Sequence, residues 1–358
     1  MIEHSSPYLD DREVKFVSKF LKGRILSTGK IVSEFEAISS RVVGVSYSCA
    51  VSSGSAGLFL VLKKLPEVFP ELRRKSEVII PSFTCFALSN AVLMCGFKPV
   101  FADISPETFS LDISDVKKKI TKKTLCVIFV HNFGICQNIG EFLHLGVPVL
   151  EDIAQSFGGV VDGKPVGSSG LASVCSFYAT KVITTAGEGG AVFSDERNLI
   201  DEIRDFIDYD KKRYSEVGLR FNFKMTDIAA AVGIVQIKKL KEILSMRKKI
   251  AQVYFDELEE LERKGFLKLP PRKNNIFFRF PVILQKGKQE KFLKYLRSHG
   301  IGANKSIFYP LHLDLARHKK LPNTEMVYRK SISIPIHPRI SEKVARKVAK
   351  KIFSFFRP

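Results

Sequence analysis

Short apolar runs alternate along the chain with longer stretches in which apolar residues recur every three or four positions. The runs EVIIP (77–81), PVFADI (99–104), TLCVIFVHN (124–132), VPVLEDI (147–153), ASVCSFY (172–178) and GAVFS (190–194) are rich in β-branched residues and predict strands. Most are continuous hydrophobic segments, the pattern of strands buried on both faces of a parallel sheet. Between them, CFALSNAVLMCG (85–96) and SDVKKKI (114–120) predict helices. Strands alternating with helices predict a doubly wound α/β sheet.

The pattern changes after about residue 222. A helical stretch, MTDIAAAVGIVQIKKLKEILSMRKKIAQVYFDELEEL, runs on from Met225, and Gly233 within it marks a close packing point or a break. Beyond it, FFRFPVIL (277–284) predicts a strand, KQEKFLKYLRSHG a helix and VARKVAKKIFSFF a terminal helix. The expected division is a large α/β domain over 1–245 and a smaller α+β domain over 246–358, without repeats or a low-complexity linker.

Composition adds one anomaly. Among 358 residues, 45% are hydrophobic and 26% charged, ordinary for a globular protein, but the formal charge is +20. The cations sit in helix-like segments such as DVKKKITKK and EKVARKVAKK, between apolar residues at helical spacing, so they read as solvated helix faces. No nucleic-acid-binding motif accompanies them, and neither nucleic acid nor a membrane is expected as a partner. No apolar run reaches the roughly 18 residues of a membrane-spanning helix, and the polar N-terminus lacks the form of a signal peptide, so the cytoplasm is the expected location. The six cysteines show no CxxC spacing and read as small hydrophobes; no metal site is expected.

Three features carry chemistry. Gly54 and Ser55 open an amphipathic helix, where free N–H groups suit a phosphate, although Ser-Gly-Ser is also ordinary capping chemistry. Glu151 and Asp152 end an apolar strand with Gln155 one turn later; an acid there contacts a ligand or caps a helix. Ser176 precedes Lys181 by five residues in SFYATKVITTAGEGG, and a lysine kept unprotonated forms a Schiff base, whereas one in water is only a charge. A phosphate cradle, an acid and a nucleophilic amine together fit pyridoxal 5'-phosphate.

With these pieces in order, the chain resembles the DegT/DnrJ/EryC1/StrS sugar aminotransferases, within the fold-type I pyridoxal phosphate enzymes. The resemblance runs from STGKIVSEFE (27–36) to SIPIHPRIS (333–341), through IIPSFTCFALSNAVLMCGFKPVFADI, EDIAQSFGG, SFYATK…GEGGAVFSD and FNFKMTDIAAAVGIVQIKKL. It implies that Lys181 is the Schiff-base lysine, that Asp152 holds the pyridine nitrogen protonated and that Gln155 lies by the phenolic oxygen. It also implies phosphate contacts from Gly54, Ser55 and Ser176, and a homodimer with shared active sites in which Asn222 reaches the neighbouring phosphate. Cys85 stands where the family usually has a ring-stacking aromatic, with Phe86 or Phe83 as substitutes. Arg220 and Lys224 replace a glycine and an arginine, and Ser306 replaces a histidine in SIFYPLH (306–312). His312 and His131 are candidates for the substrate pocket, while His337 reads as structural.

The activity implied is transfer of an amino group, with glutamate as donor, to a nucleotide-linked keto-sugar in amino-sugar and cell-surface polysaccharide biosynthesis. Transamination of a keto-cyclitol needs the same groups. A dehydratase on this scaffold carries histidine in place of the lysine, against Lys181. A non-catalytic basic binding protein is the reading from another class.

Overall fold

The computed structural model describes residues 1–21, 26–209, 218–307, 309–316 and 320–356; Phe308 of the SIFYPLH stretch lies outside them. Among the described residues, nine strands fall in the first part of the chain: β1 (Tyr47–Val51), β2 (Glu77–Pro81), β3 (Lys98–Ala102), β4 (Thr124–Val130), β5 (Val149–Asp152), β6 (Val160–Val161), β7 (Lys164–Pro165), β8 (Ala172–Ser176) and β9 (Gly190–Ser194). Seven form one sheet in the order β1-β9-β8-β5-β4-β2-β3, and β6 and β7 make a separate hairpin. β3, β2, β4, β5 and β8 are parallel, and β9 is antiparallel to both of its neighbours. β1 therefore runs in the same direction as β8. The carboxyl ends of β1, β2, β4, β5 and β8 all share one sheet edge, which is where open α/β sheets bind ligands.

Helices cover both faces. α1 (Asp11–Leu21) and α2 (Lys30–Val43) precede β1, and α3 (Gly54–Val68) follows it. α3 and the helix Arg197–Ile207 bury Leu58, Leu62, Leu199 and Ile203 on one face. α2 and the helix Asp227–Lys238 bury Phe35, Ala230 and Ile234 on the other. The anticipated long helical stretch is two helices, Asp227–Lys238 and Leu240–Arg263, and the break is at Lys239, not Gly233. The Lys239 ammonium is held by Asp10 and Glu13 at 3.1 and 2.7 Å, which fixes the joint against the N-terminal segment. Gly233 is the close packing point: a Cβ there would lie 2.5 Å from the Phe35 ring.

The second sheet, in the order β10-β11-β13-β12, is wholly antiparallel and comprises β10 (Leu267–Lys268), β11 (Phe280–Leu284), β12 (Asn304–Lys305) and β13 (Ser331–Ile334). The helices Gln289–Ser298 and Glu342–Phe356 pack on it. The expected boundary near residue 245 falls inside the helix Leu240–Arg263. Leu240 and Ile243 join the core of the large sheet, while residues from Ile250 onward join that of the small one. The chain start returns here too, through an Ile2–Ile301 bridge. No helix among the described residues is long and apolar enough to cross a membrane.

Candidate active site

The shared sheet edge gathers residues that are more than a hundred positions apart. Asp152 is the last residue of β5, Ser176 the last of β8, and Gly54 the first of α3. Lys181 follows β8 on a turn in which its N–H donates to the Tyr178 carbonyl (2.9 Å). One pocket is lined by Gly54, Ser55, Cys85, Asp152, Gln155, Ser176 and Lys181, with Leu58, Ala87, Ala154 and Val174 filling its apolar walls.

At the α3 N-terminus, Ser53 caps the helix by accepting from the Ala56 N–H (3.1 Å), so the N–H groups of Gly54 and Ser55 have no intrahelical partner. A Cβ on Gly54 would lie 2.7 Å from the Ser176 Cβ and 3.1 Å from its Cα, so only glycine lets the helix start touch β8. Free N–H groups, the positive end of a helix and a hydroxyl thus meet at one point, a donor set suited to a phosphate.

Burial pushes the Asp152 carboxyl above its ordinary value of 3.8, opposed by the Lys181 charge, the Ala154 N–H and His131. An acid with this desolvation gains from a cation placed against it. Gln155 is fixed at both ends of its amide: Oε1 accepts from the Phe133 N–H (2.8 Å), and Nε2 donates to Asn132 Oδ1 (3.1 Å). Phe133 has φ 61°, a left-handed conformation, in the turn that carries this N–H. Phe278, from the segment leading into the small sheet, lies beside Lys181, whose ammonium is 5.7 Å from its ring centre. The sequence reading took Phe278 only as part of a strand.

Several expected groups lie elsewhere. His131 is fully buried behind the strand end: its Nε2 donates to Glu151 (2.9 Å) and its Nδ1 accepts from the Gln137 N–H (3.2 Å). His312 is also fully buried; its N–H donates to Ser82 Oγ (2.9 Å), whose hydroxyl meets Nδ1 at 2.6 Å. Neither histidine lines the Lys181 pocket. His337 donates to the Glu3 carbonyl (3.1 Å), a structural placement. Phe83 is buried in an aromatic cluster with Phe109 and Phe133, and Phe86 packs against the core, so the wall beside the pocket is Cys85 and Ala87. Cys85 is exposed, unlike the buried Cys49, Cys126, Cys136 and Cys175. Arg220 pairs with Asp205, and the Lys224 ammonium lies 3.7 Å from Asp208. These two departures tie down the segment that presents the exposed Asn222.

Glu151, which neighbours Asp152, points to the opposite side of β5. Burial raises its carboxyl, but bonds from His131 and from the N–H groups of Gly170 and Gly167 outweigh this and hold it below its ordinary 4.5. Glu151→Ala strands the N–H groups of Gly167, Ser169 and Gly170, and is expected to cost about 3 kcal/mol or more in urea unfolding. A depressed carboxyl stabilises above its unfolded pKa and loses that contribution as pH falls through the folded one. The stability gap to Glu151→Gln should therefore be full at neutral pH and shrink once pH drops below about 4.5. A gap independent of pH would contradict the pairing.

Residues 7–353 match the DegT/DnrJ/EryC1/StrS aminotransferase family. The chain is similar to GDP-perosamine synthase of Vibrio cholerae, 29% identical over 99% of both chains. It is equally similar, at 29% identity, to a UDP-4-amino-4,6-dideoxy-N-acetyl-beta-L-altrosamine transaminase of Campylobacter jejuni, over 99% of this chain and 97% of the other. The solved structure of Helicobacter pylori PseC, an aminotransferase of pseudoaminic acid biosynthesis, superposes with a TM-score of 0.90 over 99% of both chains at 24% identity.

Proposed function

Because the chain belongs to the DegT/DnrJ/EryC1/StrS aminotransferase family, a family of pyridoxal phosphate-dependent sugar aminotransferases, we propose that it aminates a nucleotide-linked keto-sugar with glutamate as donor. The product would serve amino-sugar and cell-surface polysaccharide biosynthesis. The observation that carries this reading is the convergence of Lys181, Asp152 and the α3 N-terminus on one pocket. The residues present fit the cofactor: the Gly54–Ser176 cradle, which a Cβ would fill, takes its phosphate, and the buried Asp152 takes its ring nitrogen.

When bound, pyridoxal phosphate supplies an electron-withdrawing ring that stabilises negative charge at the carbon losing or gaining the amine. Lys181 would hold the cofactor through its Nζ and, when its amine is free, would carry a proton from the donor carbon as base and deliver it as acid. Reverse use of the same group serves the keto-sugar. Asp152 would hold the ring nitrogen in its protonated form, as an ion pair that burial makes strong. Gln155, locked by Asn132 and Phe133, presents a fixed amide edge to the pocket. Phe278, Leu58 and Val174 keep water from the Lys181 amine.

The exposed Asn222 supports a homodimer in which this segment completes the neighbour's phosphate site. A cytoplasmic enzyme supplied with activated sugars fits the same reading. Gly54→Ala pushes α3 from β8 and is expected to weaken cofactor affinity about tenfold or more, roughly 1.4 kcal/mol, in a fluorescence titration; unchanged affinity would remove the cradle. The substrate class is tested by loading the enzyme with amine-form cofactor and mixing it with nucleotide keto-sugars and keto-cyclitols. Return of the visible band of lysine-linked cofactor with the nucleotide sugars is expected. Return with cyclitols alone would replace the substrate while leaving aminotransfer intact.

A further inference from the structure

The turn after β4 carries a buried asparagine that the reaction itself does not use. Asn132 is fully buried, in the stretch HNFG that follows the strand. Its Nδ2 donates to the Phe83 carbonyl just beyond β2 (3.1 Å) and to the Phe109 carbonyl (2.7 Å). An amide nitrogen has two hydrogens, so both are spent and only Oδ1 is left to face Gln155. The Gln155 amide is thereby sorted: Nε2 meets Asn132 Oδ1 (3.1 Å) and Oε1 meets the Phe133 N–H (2.8 Å). Turned over, it would set oxygen against oxygen and N–H against N–H, and leave all four groups unpaired.

The turn is held from several sides. The Phe133 and Gly134 carbonyls accept from the Arg279 and Ile276 N–H groups (3.1 and 2.9 Å), in the segment that carries Phe278. The rings of Phe83, Phe109 and Phe133 pack together, those of Phe109 and Phe133 with centres 5.1 Å apart. Phe109 and Phe133 both take left-handed backbone, φ 58° and 61°, which bulky side chains adopt only where their surroundings impose it. Among the described residues, the Gln155 side chain makes only the two bonds above. One Nε2 hydrogen is therefore unspent in a side chain that lines the Lys181 pocket.

We propose that Asn132 is a positioning residue for the cofactor site: by fixing which way the Gln155 amide lies, it turns a donor toward the phenolic oxygen. The inference rests on the cofactor reading above, in which Gln155 lies by that oxygen. A donor there stabilises negative charge on the oxygen, most of all when the neighbouring lysine-linked nitrogen carries no proton. That nitrogen then gives up its proton at a lower pH than it otherwise would. Neither Asn132 nor Gln155 titrates. The groups that do are Asp152, Lys181 and Cys85 at the pocket, with the Glu151–His131 pair behind β5; among the described residues, none of them bonds either amide side chain.

The test is a pH titration of the visible cofactor band in full-length, cofactor-loaded protein, read as a double-mutant cycle. Asn132→Ala and Gln155→Leu should each raise the midpoint by about one pH unit, tenfold in proton affinity, because one releases the donor and the other deletes it. The double variant should shift no further than Gln155→Leu alone. A residue that only holds the turn together would lower the melting temperature and leave the midpoint where it was. A lowered midpoint in Gln155→Leu would show an acceptor facing the cofactor and overturn the proposal, whether or not the Asn132 variant folds. An unchanged midpoint in Asn132→Ala, or a further shift in the double variant, would overturn it as well. Absence of the visible band from wild-type protein would remove the cofactor reading and this proposal with it.

Discussion

Lys181→Ala protein is expected to lose the visible absorption band of lysine-linked cofactor and to lose turnover by at least about 10⁴-fold, because in the proposed function one amine is both anchor and proton carrier. No other amine lines the pocket among the described residues. The fold should survive: Lys181 donates its backbone N–H to the Tyr178 carbonyl, a bond that alanine keeps. Thermal unfolding of the cofactor-free variant should therefore match wild type. Retained transamination by this variant would sink the assignment of Lys181.

Asp152→Asn is expected to lower kcat by about 10²–10⁴-fold, with the cofactor still partly bound through the phosphate cradle and Lys181. The same change is expected to stabilise the cofactor-free protein. Burial raises the Asp152 carboxyl above 3.8, so the folded state holds its proton over a window in which the unfolded chain has released it. Stability accordingly falls as pH rises from about 3.8 through the folded pKa, and the loss persists at neutral pH. Asparagine carries no charge to desolvate, and its carbonyl still accepts the Ala154 N–H that Asp152 accepts at 2.9 Å. The variant should melt above wild type at neutral pH, and the gain should vanish in acid. A lower melting temperature with unchanged single-turnover kinetics would contradict both halves. The pairing of lower activity with higher stability marks a residue whose charge is kept for the reaction.

The strands of the large sheet were legible because parallel strands buried on both faces are continuous apolar runs, as in TLCVIFV of β4, every residue of which is buried. β1 escaped notice because YSCAV mixes polar and small residues, and its partner β9 lies about 140 positions later. The helix break at Lys239 escaped for a similar reason. Lys239 has ordinary helical propensity, and the break is fixed by Asp10 and Glu13, far away in the chain.

Lys181, Asp152, Gly54 and Ser176 were identifiable by residue type and by position beside strand ends. His131 and His312 stood in equally suggestive places, but their side chains turned to Glu151 and Ser82, because a buried carboxylate and a buried hydroxyl need partners. Phe278 and Arg279 carried no signal in FFRFPVIL, since what matters is that the bend before β11 brings the Phe278 ring beside Lys181.

By itself the sequence determined the alternation of strands and helices in the large sheet, the family and the candidate reactive amine, because these depend on local periodicity and on residue chemistry along the chain. Only the tertiary structure decided which side chains share the pocket and which histidines are spent on buried partners. Those outcomes depend on side-chain direction and on contacts between distant segments, which close packing sets and no short stretch of sequence contains.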